Sequence, residues 1–190
     1  MKRSKSIKLV VMATTSVTLA SCSDEPDLEG RVYKTEEECV TDSFVPDEVC
    51  TQVISAGKQI HQTSGPRYNT VNLCDEQHGN NSCLYESASG SDFYSPQPSG
   101  YFVTGALAGL TGAVASQALM NNVRPVYPER GSRRYYTSGG YYVGSYGGGS
   151  WRTYNDAVKT PPKAARVQTR TSVASRGGFG SRSSSGSRGG

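Results

Sequence analysis

Four cysteines are spaced so that they could form disulfides or bind a metal. They lie in a C-x10-C pair, Cys39 and Cys50, and a C-x8-C pair, Cys74 and Cys83. In an oxidising compartment an even set of cysteines predicts disulfides, and four cysteines allow three pairings. The local pairing, Cys39–Cys50 with Cys74–Cys83, is favoured because each pair brackets turn-forming residues. Each disulfide closes a small loop and would stabilise the fold by about 2–4 kcal/mol, because it restricts the conformations of the unfolded chain.

A metal site is the alternative use of the second pair. Cys74, His78 and Cys83 carry thiolate and imidazole ligands at a plausible spacing. Zinc sites usually have cysteines only two to four residues apart, however, so disulfides are the preferred interpretation. We therefore predict no metal ligand and no cofactor.

The fifth cysteine, Cys22, lies at the end of an export signal. Basic residues at positions 2–8 precede 12 uncharged residues, 9–20, and then the sequence Leu-Ala-Ser-Cys. The uncharged stretch is too short to span a bilayer and has the length of a secretory core. The segment closely resembles the lipobox of bacterial lipoproteins, although an ordinary signal peptide with a chance cysteine is the alternative. We predict a signal peptide over 1–21, a diacylglyceryl anchor on Cys22 and a linker over 22–30.

The residue after the lipidated cysteine indicates which membrane holds the protein. In bacterial lipoproteins Asp at that position favours the inner membrane, and this chain has Ser23. We therefore expect a lipid anchor in the outer membrane, with the protein facing the periplasm.

Composition argues against a large enzyme fold. Leu, Ile, Val and Phe total 32 residues, 26 of them after the signal. This is below the share at which chains usually fold well. The sequence contains no Ser/His/Asp arrangement, no supported carboxylate pair and no phosphate-binding loop. The histidines, His61 and His78, are predicted to be surface or helix-end residues. We therefore predict no catalytic residue and a non-enzymatic protein.

Three short helices are predicted over residues 31–90. Thr35 has the side chain of an N-cap and is followed by three glutamates. Pro46 opens a second helix that ends at Gly65 and has an apolar face at spacings of four, three and four: Val49, Val53, Ala56 and Ile60. Thr70 caps a third helix that runs to Gln77. The predicted fold class is mainly α, a small disulfide-stapled helical module followed by a Gly-rich apolar segment and a disordered basic tail.

The Gly-rich apolar segment is placed at 91–123, and its residues 101–120 carry no charge. Gly105, Gly109 and Gly112 give it a smooth face that permits close backbone contact. A helix or hairpin packed on protein, self-association into a homo-oligomer and membrane insertion all fit this pattern, as does a mobile loop over 100–112. Among these, packing on protein is preferred.

Residues 124–190 form a low-complexity tail rich in Gly, Ser, Tyr and Arg. We expect most of it to be disordered, with one short strand pair around 134–146. Residues 23–120 have a net charge of −10 and residues 121–190 a net charge of +10. The tail is therefore predicted to contact an anionic envelope component or partner protein, or to fold back on the acidic half. The expected contacts are Arg133, Arg134, Arg166, Arg170 and Arg176. Export argues against a nucleic-acid partner.

Several residues together resemble the YgiB/YjfM-type family of uncharacterised bacterial envelope lipoproteins. The resemblance rests on the two cysteine spacings, Tyr33, residues 36–39 and 66–68, and the pentapeptide Arg-Gly-Gly-Phe-Gly at 176–180. The Tyr-rich stretch departs from members richer in Met and Gln. The resemblance implies no established activity and no catalytic residue. It implies a functional link to an ATP-grasp protein that resembles glutathionylspermidine synthases, because such a protein is often encoded beside family members.

We therefore expect a non-enzymatic envelope lipoprotein that acts as an interaction or adaptor protein. One alternative is an accessory subunit linked to an ATP-grasp, amide-ligase-like protein. The other alternative is a glycine-zipper protein that assembles with itself.

Overall fold

The computed structural model describes residues 28–88, 90–105, 113–145, 151–159 and 163–174. Within these ranges the chain forms strands and helices in this order: β1 (Leu28–Tyr33), α1 (Glu36–Asp42), α2 (Asp47–Ser64), β2 (Arg67–Tyr68), α3 (Val71–His78), β3 (Cys83–Ala88), β4 (Ser91–Pro96), β5 (Gly100–Thr104), α4 (Ala113–Asn122), β6 (Val123–Pro128), β7 (Arg134–Thr137), β8 (Tyr142–Ser145), β9 (Trp151–Thr153), α5 (Asn155–Lys159), β10 (Val167–Gln168) and α6 (Arg170–Ala174).

The larger sheet has six antiparallel strands in the order β8-β7-β6-β5-β1-β9. It curls until its two edge strands nearly meet. The Thr153 hydroxyl of β9 donates a hydrogen bond of 2.7 Å to the Tyr142 carbonyl of β8. A Cβ added to Gly144 of β8 would lie 2.6 Å from the Trp151 ring, so glycine is required for this close approach. The smaller sheet has the order β10-β2-β4-β3, and β10 pairs with β2 in parallel.

The prediction of a mainly α fold is wrong, because β-strands organise the described structure. Strands β7, β8 and β9, and all of β6 except Val123, lie within residues 124–190, which were expected to form a disordered tail. These strands are only three to six residues long, and β6 contains Pro and β8 contains Gly, so each strand has a weak local signal. They form because pairing within the six-stranded sheet stabilises them, and β9 pairs with the distant strand β1. The short strand pair expected around 134–146 is confirmed as β7 and β8.

The three predicted helices are confirmed with their end signals. The Thr35 hydroxyl accepts a hydrogen bond from the Glu38 backbone N–H and begins α1. Helix α2 follows Pro46 and ends at Gly65, whose N–H donates to the His61 carbonyl. The Thr70 hydroxyl accepts from the Leu73 N–H at the start of α3. Side-chain caps begin α1 and α3, whereas α2 begins after Pro46 without a side-chain cap.

Helix α2 packs its apolar face on the larger sheet. Val53 and Ile60 are fully buried against Val103 of β5 and Val123 of β6. Leu119 of α4 joins the same core. The described parts of the uncharged segment thus form a buried strand and a helix packed on protein, the preferred alternative for that segment. No helix in the described ranges is both long and apolar enough to cross a membrane.

The predicted disulfides are confirmed in their local pairing. Cys39–Cys50 joins α1 to α2, with Cα atoms 5.7 Å apart and both residues fully buried. Cys74–Cys83 joins α3 to β3, with Cα atoms 6.2 Å apart. Each disulfide therefore crosslinks two elements that are adjacent in sequence and in space.

Arg124 of β6 anchors the segment that follows the larger sheet. Its side chain is buried and donates hydrogen bonds to the carbonyls of Met120, Val123, Ala157 and Val158. Two of these acceptors lie in α5, and Met120 lies in the last turn of α4. Burial lowers the pKa of the guanidinium to about 10, so it stays charged at neutral pH. A cation at these carbonyls suits the negative ends of both helix dipoles.

Replacing Gly57 with alanine is expected to destabilise the protein, although helix propensity alone would predict stabilisation. It lies inside α2, where alanine normally stabilises a helix by about 1 kcal/mol. A Cβ at Gly57, however, would lie 2.2 Å from the ring of Tyr101. We expect Gly57→Ala to lower the free energy of unfolding by about 1–3 kcal/mol through overpacking, measured by urea denaturation.

The matched control is Ser55→Ala, on the exposed face of the same helix. It should leave stability unchanged or raise it slightly. A Gly57→Ala chain as stable as the Ser55→Ala chain would contradict the packing of Tyr101 on α2.

Candidate functional site

The turn between β6 and β7 presents a cluster of arginines, which we call the arginine hairpin (residues 129–134). Arg130, Arg133 and Arg134 are exposed there, beside a single acid, Glu129. The backbone closes the turn through a hydrogen bond of 3.1 Å from the Glu129 N–H to the Arg134 carbonyl. Gly131 has φ +75°, a left-handed conformation that favours glycine. The local sequence thus forms a tight loop that projects its cationic side chains.

Two further contacts hold the arginine hairpin in place. The Arg130 N–H donates a hydrogen bond of 2.8 Å to the Gln77 carbonyl of α3. The Ser132 hydroxyl accepts a hydrogen bond of 3.1 Å from the Arg134 N–H. The backbone under the three guanidinium groups is therefore fixed by both β7 and α3.

The guanidinium groups of the hairpin are available to a partner to different degrees. Arg134 donates to the Tyr136 hydroxyl, and this hydrogen bond raises the pKa of Arg134. Among the described residues, no carboxylate lies within salt-bridge distance of Arg130 or Arg133. Arginine presents several N–H donors in a planar fork that matches phosphate and carboxylate oxygens. The arrangement is therefore suited to binding an anionic group.

A buried histidine lies at the base of the hairpin. His78, at the end of α3, is 3% exposed, and its Nδ1 lies 2.9 Å from the Pro128 carbonyl. Because a carbonyl can only accept, Nδ1 carries the hydrogen. Nε2 then accepts from the Tyr68 hydroxyl at 2.8 Å. Burial lowers the pKa of His78 to about 4, so the ring is neutral at physiological pH.

A second histidine–tyrosine pair joins α2 to β6. His61 Nδ1 lies 2.8 Å from the hydroxyl of Tyr127, which is completely buried. Burial lowers the pKa of His61 and raises that of Tyr127, so both groups are held neutral. His61 Nε2 lies 3.9 Å from a Glu86 carboxylate oxygen. We refer to Tyr68, His78, Tyr127 and His61 together as the tyrosine–histidine cluster.

No sequence pattern predicts this cluster. Both histidines are expected at the surface or at helix ends, and the helix-end position is confirmed for both. A surface position is wrong for His78, because β6 covers it. No sequence signal identifies this burial, since Pro128 and Tyr68 are 50 and 10 residues away from His78.

The tail arginines outside the hairpin have different surroundings. Arg170 makes two hydrogen bonds, of 2.9 and 2.8 Å, to the Glu76 carboxylate of α3, and these lower the pKa of Glu76. With the pairing of β10 to β2, this contact shows residues 163–174 folding back on the acidic half of the chain. Arg166 is exposed. Cys22 and Arg176 lie outside the described residues.

The remaining predicted residues bear on self-association and metal binding. Gly105 lies beside Phe44, whose ring would be 3.3 Å from an added Cβ; Gly109 and Gly112 lie outside the described residues. The alternative metal site at Cys74, His78 and Cys83 is not formed, since the sulfurs are bonded to each other and both His78 nitrogens are hydrogen-bonded. The described ranges contain no other group of three or more metal-ligating side chains.

The pKa of His78 predicts a specific loss of stability in acid. The folded-state value of about 4 lies below the value of 6.5 for an unperturbed histidine. Between these pH values the unfolded chain binds a proton that the folded chain does not, so the free energy of unfolding decreases as pH falls from 6.5 to 4. We expect His78 to account for about 3 kcal/mol over this window, measured by denaturant titrations at several pH values.

The matched variant is His78→Asn, whose amide can still donate near Pro128 but cannot titrate. Its stability should vary less with pH than that of the unchanged protein, with His61 contributing to the remaining dependence. Parallel stability curves for the two proteins between pH 4 and 6.5 would show that His78 is not buried as a neutral ring.

Comparison with known proteins places the chain in a family. No curated protein sequence and no solved structure matches it significantly. Residues 27–190 match the family described as "Protein of unknown function (DUF1190)". This match confirms the expected YgiB-type relationship, and it includes the disulfides, the arginine hairpin and the tyrosine–histidine cluster. The chain therefore belongs to this uncharacterised family.

Proposed function

We propose that the protein is a non-enzymatic lipoprotein of the bacterial envelope that acts as an interaction or adaptor protein and binds an anionic surface through the arginine hairpin. The observation that carries the proposal is the hairpin itself, where three exposed arginines occupy five consecutive positions on a rigid turn. Phosphate groups on lipids or lipopolysaccharide are the partner chemistry that fits these forks best.

The rigidity of the hairpin supports a recognition role. Its backbone is bonded to α3 through Gln77, and its base is bonded to the buried His78. A guanidinium on a fixed backbone loses less conformational entropy on binding than one on a flexible tail. The hairpin is therefore a better anion-binding element than the low-complexity sequence around it.

The predicted lipid anchor would place the hairpin near phosphate groups. Five residues lie between Cys22 and Leu28, where β1 begins. An extended linker of this length spans at most about 20 Å. A protein anchored through Cys22 would thus hold its folded part close to the bilayer surface, where anionic headgroups attract basic side chains.

Neutralising the hairpin should weaken association with anionic membranes. In the triple variant Arg130→Gln, Arg133→Gln and Arg134→Gln, we expect partitioning onto vesicles containing anionic lipid to fall roughly 100-fold. Partitioning of the unchanged protein should also weaken as salt is added, because ions screen these charges. Vesicle co-sedimentation of the full mature chain, with and without anionic lipid, measures both effects.

The matched control removes three positive charges elsewhere: Lys58→Gln, Arg152→Gln and Lys163→Gln. All three side chains are exposed, so this variant has the same net charge as the hairpin triple. It should bind nearly as well as the unchanged protein. Equal losses in the two triple variants would show that overall charge, and not the hairpin, governs binding.

Lipidation at Cys22 is tested separately. We expect metabolic labelling with a fatty acid to mark the unchanged protein and Ser21→Ala, which keeps a small residue before the cysteine. Cys22→Ala should carry no label. The labelled protein should separate with outer membranes on a density gradient.

Two outcomes would contradict this assignment. Label on the Cys22→Ala chain would mean that another residue is acylated. Unlabelled protein in the cytosol would contradict the proposed anchoring in a membrane.

A further inference from the structure

The last described segment of the chain, residues 163–174, lies against the smaller sheet and α3, and we call it the strap. Its strand β10 pairs in parallel with β2. The Ala165 N–H donates to the Thr63 carbonyl, and the Asn69 N–H donates to the Gln168 carbonyl, each at 3.0 Å. These bonds attach the strap at the end of α2 and along β2.

Few other contacts hold the strap in place. Val173 is its one buried side chain and packs on Leu73 and Cys74 of α3. The ion pair between Arg170 and Glu76 is open to solvent, with 69% and 41% of the two side chains exposed. A segment that buries so little apolar surface opens more readily than the core of a protein. We therefore expect the strap to detach while the rest of the fold stays intact.

Glu76 of α3 lies between the strap and the arginine hairpin. Its carboxylate accepts hydrogen bonds of 2.9 and 2.8 Å from Arg170 of the strap. The next residue, Gln77, accepts the hydrogen bond of 2.8 Å from the Arg130 N–H of the hairpin. The hydrogen bonds from Arg170 lower the pKa of Glu76, and the charges of Arg170 and Arg130 lower it further. One carboxylate is thus within electrostatic range of both arginines.

Arg130 differs from Arg170 in having no carboxylate in contact. Within the described ranges, no acidic side chain lies at salt-bridge distance from its guanidinium. A carboxylate and a phosphate are bound by the same fork of N–H donors. Glu76 is therefore an internal anion that can compete with an external one for Arg130.

A change of partner costs Glu76 little free energy. An exposed pair of arginine and carboxylate contributes little net stability, because water solvates both charges well. While the strap is docked, Arg170 has the advantage of two parallel hydrogen bonds to the carboxylate. When the strap detaches, Arg170 leaves with it, and Arg130 is the remaining arginine whose charge acts on Glu76.

We propose that the strap regulates the arginine hairpin by controlling which arginine pairs with Glu76. With the strap docked, Arg170 holds the carboxylate and the Arg130 guanidinium stays open to an external anion. With the strap detached, Glu76 pairs with Arg130 and blocks that part of the hairpin. The effect on anion binding rests on the proposed function, whereas the exchange of Glu76 between two arginines does not.

The exchange is tested by measuring the pKa of Glu76 with carbon NMR in the full mature chain. The variants are Arg170→Gln, Arg130→Gln and the double variant. We expect the pKa to stay below its ordinary value in both single variants, because the remaining arginine pairs with the carboxylate. Only the double variant should return it to the ordinary value. Arg152→Gln, which removes an exposed charge on β9, is the control and should leave the pKa unchanged.

The role of the strap is tested without any change of charge by Val173→Ser, which removes its buried side chain. We expect the Asn69 amide, which donates to the strap, to exchange hydrogen at least about tenfold faster. Partitioning onto vesicles of phosphatidylcholine and phosphatidylglycerol should fall about fivefold, the effect of losing one arginine. Val167→Ser, at an exposed position of the same strap, should change neither quantity.

A second variant covers the case in which Val173→Ser does not fold, which thermal unfolding would reveal. Arg170→Gln leaves the buried side chains unchanged and should weaken partitioning to the same extent. Arg152→Gln has the same net charge and should bind nearly as well as the unchanged protein.

Four results would overturn the proposal. An ordinary pKa in Arg170→Gln would mean that Glu76 stays in solvent, and a lowered pKa in the double variant would mean that another cation holds it. Unchanged exchange at Asn69 in Val173→Ser would show that the strap does not detach. Faster exchange with unchanged partitioning would show that the strap detaches without affecting the hairpin.

Failure of the proposed function gives a different pattern. The triple variant of the hairpin arginines would then bind vesicles as well as the unchanged protein. The NMR titration would still decide whether Glu76 passes from Arg170 to Arg130.

Discussion

The structure depends on one constraint, which is that every buried tyrosine hydroxyl must find a hydrogen-bond partner. The chain has few large aliphatic residues, and tyrosines occupy much of its core. The hydroxyl of Tyr33 bonds to Asp42, that of Tyr68 to His78, and that of Tyr127 to His61. Each of these bonds joins a helix to a strand. The polar atoms of the core thus determine how the three helices sit on the two sheets.

This constraint also positions the arginine hairpin and α1. Tyr33 and Asp42 hold α1 against β1, beside a cavity of about 420 Å³ that Glu38 and Asp42 help to line. His78 holds the end of β6, from which the arginine hairpin projects. The base of the hairpin is thus held by a buried, neutral histidine, whereas α1 is held by a tyrosine hydroxyl that donates to the partly exposed carboxylate of Asp42.

Charge segregation along the chain acts within the molecule as well as outside it. Residues 163–174 return to the acidic half through Arg170 and Glu76, while the hairpin arginines remain directed outward. The basic residues of the second half of the chain thus have two roles. Arg170 forms an ion pair within the protein, and the hairpin arginines are exposed to a partner. Arg124 has a third role, since its buried guanidinium joins two helix ends by donating to their carbonyls.

The sequence by itself determined the features that depend on neighbouring residues. Thr35 and Thr70 capped their helices, Gly65 ended α2, and the two cysteine pairs joined as their spacing predicts. Family membership also followed from the cysteine spacings and the terminal pentapeptide. Tertiary structure alone decided the strands other than β7 and β8, the burial of His78 and the rigid setting of the arginine hairpin. The physical reason is that a short strand or a buried tyrosine is stabilised by partners in other elements, which the neighbouring residues do not specify. A count of aliphatic residues also leaves out the area that tyrosines bury.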